Sequence, residues 1–116
     1  MGQITPSFTY QLDDYVPSGS SLRGHIPASY QALVDTFGEP NILNAEEGDK
    51  VWNEWGIRFS DGDDDIYATI YDWKEDYANA SHYGEYRWHI GGKQAEAVWC
   101  VLDALNAPET MERTDA

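Results

Sequence analysis

Two apolar runs flanking an acidic turn constrain this sequence most, because together they predict a β-hairpin. The first run places Val51, Trp55, Ile57 and Phe59 on one face of a strand and Trp52, Glu54 and Arg58 on the other. Residues 60–65 are rich in turn formers, and Ile66 to Tyr71 is rich in β-branched and aromatic residues. Such runs on both sides of a turn indicate two antiparallel strands.

Further elements are predicted on both sides of this hairpin. They are a short strand over Ser21–Ile26, a helix from Tyr30 to Phe37 closed by Gly38, a strand over Tyr86–Ile90 ended by Gly91 and Gly92, and a helix over Lys93–Leu105. The order β-α-β-β-β-α predicts an α+β fold. We expect a small two-layer domain in which an antiparallel sheet of three to four strands packs against two helices.

The last predicted helix is amphipathic, and its spacing predicts which side is buried. The residues assigned to that side are Ala95, Val98, Trp99, Leu102 and Leu105. Cys100, in the same apolar helix, is expected to be a small buried hydrophobe. Trp55 and Trp88 are expected in the core, and His89 between Trp88 and Ile90 is interpreted as a structural imidazole.

The length of 116 residues is that of a single domain. Pro6, Pro17 and the Ser-Gly-Ser-Ser run over 18–21 predict an irregular N-terminal arm over residues 1–20. The domain is then expected over 21–105, with a frayed C-terminal tail over 106–116.

The charge balance narrows the possible partners. Seven basic and 21 acidic side chains give a formal net charge of −14. Lys and Arg contacts to phosphate supply most of the affinity for nucleic acid, so we expect no direct nucleic-acid partner. A protein with a basic surface is the partner class that this charge favours.

The sequence offers no pattern for catalysis, for a cofactor or for a metal. It has one cysteine, and its three histidines lack metal-ligand spacing. No apolar run approaches the roughly 20 residues that span a bilayer, and no export signal is recognisable. We therefore expect a non-enzymatic protein of the reducing cytoplasm that contacts no membrane, and its oligomeric state stays open.

An acidic segment is the main candidate for a contact surface. Residues 61–76 contain seven acidic side chains. The residues predicted to bind a partner are Asp61, Asp63, Asp64, Asp65, Asp72, Trp73, Lys74, Glu75 and Asp76. Carboxylates spread along a surface can imitate the phosphates of DNA, which carries one charge per ~1.7 Å of duplex, and so occupy a basic groove.

Aromatic residues near two cations suggest an alternative site. Tyr71, Trp73, Tyr77, Tyr83 and Arg87 lie within 17 positions of one another, with Lys74 among them. Aromatic rings beside cations can stack on and clamp a nucleobase. The alternative prediction is therefore a small nucleotide ligand bound by these residues.

Several short strings resemble a known group of proteins. They are Phe37-Gly38-Glu39-Pro40, the run from Trp55 to Phe59 ahead of Asp61-Gly62, the run from Ala68 to Lys74, and Trp88-His89-Ile90-Gly91-Gly92. Together they resemble a group of small, mostly uncharacterised bacteriophage proteins over roughly residues 21–105. The resemblance implies a phage origin and an accessory role inside an infected bacterium.

Charge, size and resemblance together lead to a functional hypothesis. We expect a phage accessory protein that binds and inhibits a host protein, such as an immune target in the manner of an anti-CRISPR protein, through a surface that mimics nucleic acid. Two alternatives stay open. One is a sponge for nucleotide second messengers, and the other is a structural or oligomeric phage component.

Overall fold

The structure is a computed structural model that describes residues 8–42, 53–73 and 84–114. In that part of the chain the elements are β1 (Phe8–Leu12), β2 (Ser21–Ser29), α1 (Tyr30–Phe37), β3 (Glu54–Ser60), β4 (Asp65–Tyr71), β5 (Glu85–Gly92), α2 (Glu96–Asn106), a 3-10 turn (Pro108–Thr110) and β6 (Met111–Arg113). The α+β class is confirmed. The sheet is larger than predicted, since it has six strands in the order β2-β5-β4-β3-β1-β6.

The predicted hairpin is confirmed as the β3–β4 pair, with partners running from Glu54 opposite Tyr71 to Ser60 opposite Asp65. Trp55, Ile57 and Phe59 are all buried, as the alternation predicts. Val51 and Trp52, the other expected members of the first strand, lie outside the described residues. The period-two pattern succeeds here because one face of the sheet is covered and the other is not.

The irregular arm predicted over 1–20 is wrong for Phe8–Leu12, which form strand β1. This strand pairs antiparallel with β3, with Thr9 opposite Ser60 and Leu12 opposite Ile57. Its residues alternate apolar and polar, and Tyr10 is buried against Phe37 and Phe59. Five residues are enough for a strand when a long partner lies beside them, although that partner begins some 40 positions further along the chain.

The frayed tail predicted over 106–116 is likewise wrong for its central part. After α2 the chain makes a 3-10 turn, and β6 then pairs in parallel with β1, with Phe8 opposite Met111. Met111 is buried, and the Thr114 N–H donates to the Tyr10 carbonyl over 2.8 Å. These contacts make the C-terminal segment an edge of the sheet, and every other neighbouring pair of strands in it is antiparallel.

The sequence predicts that strand β5 ends before Gly91, but the strand continues through Gly92. Both glycines pair with β2 on one side and with β4 on the other. A Cβ atom on Gly91 would lie 2.5 Å from Thr69 Oγ1, and one on Gly92 would lie 2.8 Å from the Ala97 Cβ. The two glycines therefore allow close approach within the sheet, and they do not break the strand.

Helix α1 begins and ends where the sequence predicts. The Ser29 hydroxyl accepts from the Ala32 N–H over 3.0 Å, which caps the first turn. Gly38 has φ 99° and donates its N–H to the Val34 carbonyl over 2.8 Å. Leu33 and Phe37 are buried, and the Phe37 ring contacts Phe59. This helix therefore covers the face of the sheet on which Phe59 lies.

Helix α2 begins at Glu96, three residues later than predicted, and buries a different side. Its buried residues are Ala97, Cys100, Val101 and Ala104. Trp99 is 41% exposed, Ala95 is exposed, and Val98, Leu102 and Leu105 are partly buried. The prediction is therefore wrong for Ala95 and Trp99, whereas Val98, Leu102 and Leu105 pack against the core in part. Close packing on the sheet selects the small residues, and the larger ones lie on the sides and outer surface of the helix.

The core lies between the inner face of the sheet and these two helices. Trp55 and Trp88 are fully buried at its centre, with ring centroids 5.3 Å apart and nearly perpendicular planes. Each indole N–H is bonded to a backbone carbonyl, from Trp55 to Gly38 and from Trp88 to Ala28. No helix in the described part of the chain is both long and apolar enough to cross a membrane.

Candidate functional site

The acidic tip, defined as Asp61, Asp63, Asp64 and Asp65, is the turn of the β3–β4 hairpin. The Asp61 carboxylate accepts from the N–H groups of Asp64 and Asp63 over 2.8 and 2.9 Å. These bonds, first that to Asp64 and then that to Asp63, lower the pKa of Asp61 below its ordinary value of 3.8. Gly62, with φ 101°, provides the positive φ that the turn requires. One carboxylate therefore orders the backbone from which the others project.

All four side chains of the acidic tip are exposed. No ion pair among residues 8–42, 53–73 and 84–114 involves any of them. The tip therefore combines an ordered backbone with carboxylates that stand in solvent, where a basic partner can reach them.

An aromatic pair, the exposed Trp99 and the partly buried Phe8, lies beside the acidic tip. Phe8 is one residue beyond the Thr9–Ser60 pair, on the side where Asp61 follows Ser60. The Phe8 ring contacts Trp99 edge to face, with centroids 5.4 Å apart. The structure thus places an apolar surface of α2 and β1 at the same end of the sheet as the acidic tip.

Asp72 was predicted to bind a partner, and the structure contradicts this, because the residue is fully buried. Its two carboxylate oxygens accept from Asn53, one from the backbone N–H over 3.2 Å and one from Nδ2 over 3.0 Å. A carboxylate without accessible surface, held in this way, supports the structure at the far end of the hairpin.

The prediction placed the acidic tip and Trp73 on one surface, and the structure separates them. Strand β4 separates them, and its seven residues span about 20 Å. Trp73 is 36% exposed at the opposite end of that strand. Lys74, Glu75 and Asp76, the remaining members of the predicted surface, lie outside the described residues.

A second group of residues, the aromatic–histidine cluster, lies on the sheet face away from the helices. It consists of Tyr71, Trp73, His25 and His89. Tyr71 and His89 are stacked at 5.3 Å with an interplanar angle of 27°, and the ring of His25 lies 4.5 Å from that of His89. The ring centroid of Trp73 lies 6.3 Å from that of Tyr71 and 6.5 Å from that of His89. Burial, and then the nearby Glu54 carboxylate, raise the pKa of Tyr71.

A cleft of about 430 Å³ adjoins this cluster. Its lining residues are His25, Pro27, Glu85, Tyr86 and Arg87. The structure therefore brings three of the residues of the alternative prediction, Tyr71, Trp73 and Arg87, to one end of the sheet. Tyr77 and Tyr83 lie outside the described residues.

Phe8, Trp99, His25 and His89 are not among the site residues that the sequence predicts. Phe8 and Trp99 were assigned to an arm and to the core, and the signal for Phe8 was the alternation from Phe8 to Leu12. His89, interpreted from the sequence only as a structural imidazole, alternates with Trp88 and Ile90 in β5, which places it on the open face of the sheet with the predicted Arg87. The pairing of His25 with His89 required the register of β2 against β5, which local sequence does not contain.

Comparisons with known proteins do not point to a functional site in this chain. No protein-family model matches the chain, and neither a curated protein nor a solved structure is significantly similar to it. Within the described residues, no group of three or more His, Cys, Asp and Glu side chains is placed to hold a metal ion. The acidic tip and the aromatic–histidine cluster are therefore the two candidates.

Proposed function

We propose that this chain is a phage accessory protein that binds and inhibits a bacterial protein through the acidic tip. The observation that carries the proposal is the tip itself, in which three exposed carboxylates project from a turn that the fourth, that of Asp61, orders. A partner with a basic groove matches this surface in charge. The phage context rests on the resemblance in sequence, and it favours a nucleic-acid-binding immune protein of the host as the target.

The inhibition follows from competition for that groove. A groove that binds nucleic acid attracts phosphates through Lys and Arg side chains, and a row of carboxylates fits the same field. Such binding is rapid at low salt and weakens as salt screens the charges. The protein needs no catalytic group for this function, because occupying the groove is sufficient.

The test is charge reversal at the acidic tip. A variant carrying Asp63→Lys, Asp64→Lys and Asp65→Lys is compared with one carrying Asp14→Lys, Asp35→Lys and Glu39→Lys, which changes the net charge equally at exposed sites elsewhere. Host proteins retained by each variant are measured at ~0.1 M and ~0.5 M salt, which shortens the screening length about twofold. We expect only the tip reversal to abolish the retention of a host protein whose binding is sensitive to salt. Equal retention by both variants would contradict the proposal.

A second candidate function is the binding of a small planar ligand at the aromatic–histidine cluster. The stacked rings of Tyr71 and His89, beside the cleft that Arg87 lines, favour it. Aromatic rings can stack on the base of a nucleotide, and a guanidinium can bind the phosphate of the same nucleotide. The test is the melting temperature in the presence of a panel of nucleotides, with Arg87→Gln for comparison. A ligand that raises the wild-type value should have a smaller effect on the variant.

A further inference from the structure

We propose that Trp99, together with Phe8 and Leu102, is the apolar anchor of the contact surface and receives an amphipathic helix of the partner that carries Lys and Arg beside its apolar face. This inference rests on the proposed function, since it assigns the part of the same surface that supplies affinity. The acidic tip then determines the charge of the partner.

Helix α2 directs its largest apolar side chain away from the sheet. Two residues along a helix correspond to a rotation of about 200°, so Trp99 points away from the side on which Ala97 lies, and Leu102 away from that of Ala104. Ala97 and Ala104 pack on the sheet. The largest apolar residue of the helix therefore lies outside the core with 41% of its surface accessible.

Trp99 is not an isolated apolar residue on this surface. Its ring contacts the partly buried Phe8, and Leu102 follows one helical turn later and is also partly exposed. Single exposed apolar residues are common, but large neighbouring ones that form a continuous surface indicate an interaction site. Tryptophan is also the residue most enriched among those that dominate binding energy.

The charge around this anchor selects the occupant. Glu96 is exposed one helical turn before Trp99, and the acidic tip follows Ser60 next to Phe8. Glu112, opposite Thr9 on the edge strand β6, is exposed too. Three exposed cations lie near this surface, Arg23 and Lys93 before α2 and Arg113 beside Glu112. The four carboxylates of the acidic tip with Glu96 and Glu112 outnumber them six to three.

An apolar ridge with an acidic border fits an amphipathic helix with a basic border, since ridges of side chains on two helices interlock. A second copy of this chain fits poorly. It would bring together two molecules that each carry a formal charge of −14, and the same carboxylates would face one another.

The experiment uses two defined probes and the full chain. One probe is an 18-residue amphipathic helix of Lys and Leu, and the other has Ala in place of Leu at the same length and charge. Binding to the wild type, Trp99→Ala, Trp99→Phe and the tip reversal is measured by calorimetry. Tyr15→Ala is the matched control, because Tyr15 is also exposed and also makes an edge-to-face contact, in its case with Tyr67.

We expect the Lys/Leu helix to bind the wild type about tenfold more tightly than the Lys/Ala helix. Trp99→Ala should remove most of that difference, Trp99→Phe should retain part of it, and Tyr15→Ala should retain all of it. The tip reversal should weaken both probes.

Three results would overturn the inference, and they separate it from the proposed function. If the tip reversal weakens both probes but Trp99→Ala changes neither, the anchor is wrong and the acidic contact remains. If the wild type binds neither probe, both proposals fail. If the wild type dimerises and Trp99→Ala is monomeric by sedimentation, the ridge belongs to a second copy of the chain.

Discussion

Asp72 and Asn53 hold each other at the open end of the β3–β4 hairpin. The backbone N–H of Asp72 donates to the Asn53 carbonyl over 3.3 Å, while the Asp72 carboxylate accepts from both the N–H and the Nδ2 group of Asn53. The pair extends the ladder by one residue beyond Glu54 and Tyr71. An acidic residue in an acidic segment thus has a structural role, whereas those of the tip face solvent.

The first prediction concerns this pair. Replacement of Asp72 by Ala should lower the free energy of unfolding by about 2 kcal/mol, because it removes a charged acceptor and leaves buried space. Asp63→Ala, in the exposed turn, should change it by less than about 0.5 kcal/mol. Chemical denaturation measures both values. Equal effects of the two substitutions would show that the carboxylate of Asp72 contributes nothing specific.

The second prediction concerns acid pH. The pKa of Asp61 in the folded chain lies below its ordinary value of 3.8. Its bonds to the turn therefore stabilise the fold fully above the pH at which the unfolded side chain titrates, and that contribution is lost as the pH falls through the folded pKa. Amide resonances of Asp63 and Asp64, followed by NMR, should move together with the Asp61 titration. In Asp61→Asn that shared step should be missing, and its persistence would contradict the assignment.

The third prediction concerns the single cysteine. Burial, and then the carboxylates of Asp103 and Glu96, raise the pKa of Cys100 to about 12. The thiolate is the reactive form, so at pH 8 a thiol reagent should modify the folded protein only through unfolding. The labelling rate should then rise with denaturant in step with the unfolded fraction. Rapid modification of the native protein, at the rate of an unfolded control, would show that the α2 face is open.

The fourth prediction concerns Gly91. A Cβ atom there would lie 2.5 Å from Thr69 Oγ1 and 3.4 Å from the Tyr71 ring. Gly91→Ala should therefore destabilise the fold by about 1–3 kcal/mol. Gly24→Ala, where the nearest atom is a side-chain methyl of Val98 at 3.1 Å, should cost less.

Removing the atom that Gly91→Ala meets provides the control. The double variant Gly91→Ala with Thr69→Ala should recover part of the lost stability relative to the two single changes, because Oγ1 is then missing. Thermal unfolding of the four proteins gives this coupling. Strict additivity would mean that the contact with Thr69 is not the cause.

Local sequence determined the elements whose signals lie within a few neighbouring residues. The hairpin follows from alternation before the Asp61–Asp65 turn and from β-branched and aromatic residues after it. Helix α1 follows from Ser29 as its N-cap and Gly38 at its end. The acidic tip could be placed for the same reason, since a turn between two strands is exposed by its position.

Only the tertiary structure decided the rest, because the partners are remote in sequence. Strand β1 is stabilised by β3 and by β6, and Thr114 bonds to Tyr10 across 104 positions. A short alternating segment such as Phe8–Leu12 has no fixed structure until such partners pair with it. The same holds for the burial of Asp72, which depends on Asn53, 19 positions earlier in the chain.

In helix α2, tertiary packing decided what local periodicity could not. Its sequence contains two apolar sides, one with large residues and one with small residues, and periodicity favoured the side that contains Trp99. Packing on the sheet, where Gly92 faces Ala97, buries the small side, while Val98 at the border of the other side lies against Gly24 and is partly buried. Hydrophobicity thus determined that α2 is an apolar helix, while packing against residues far away in sequence decided that Trp99 lies on the outside.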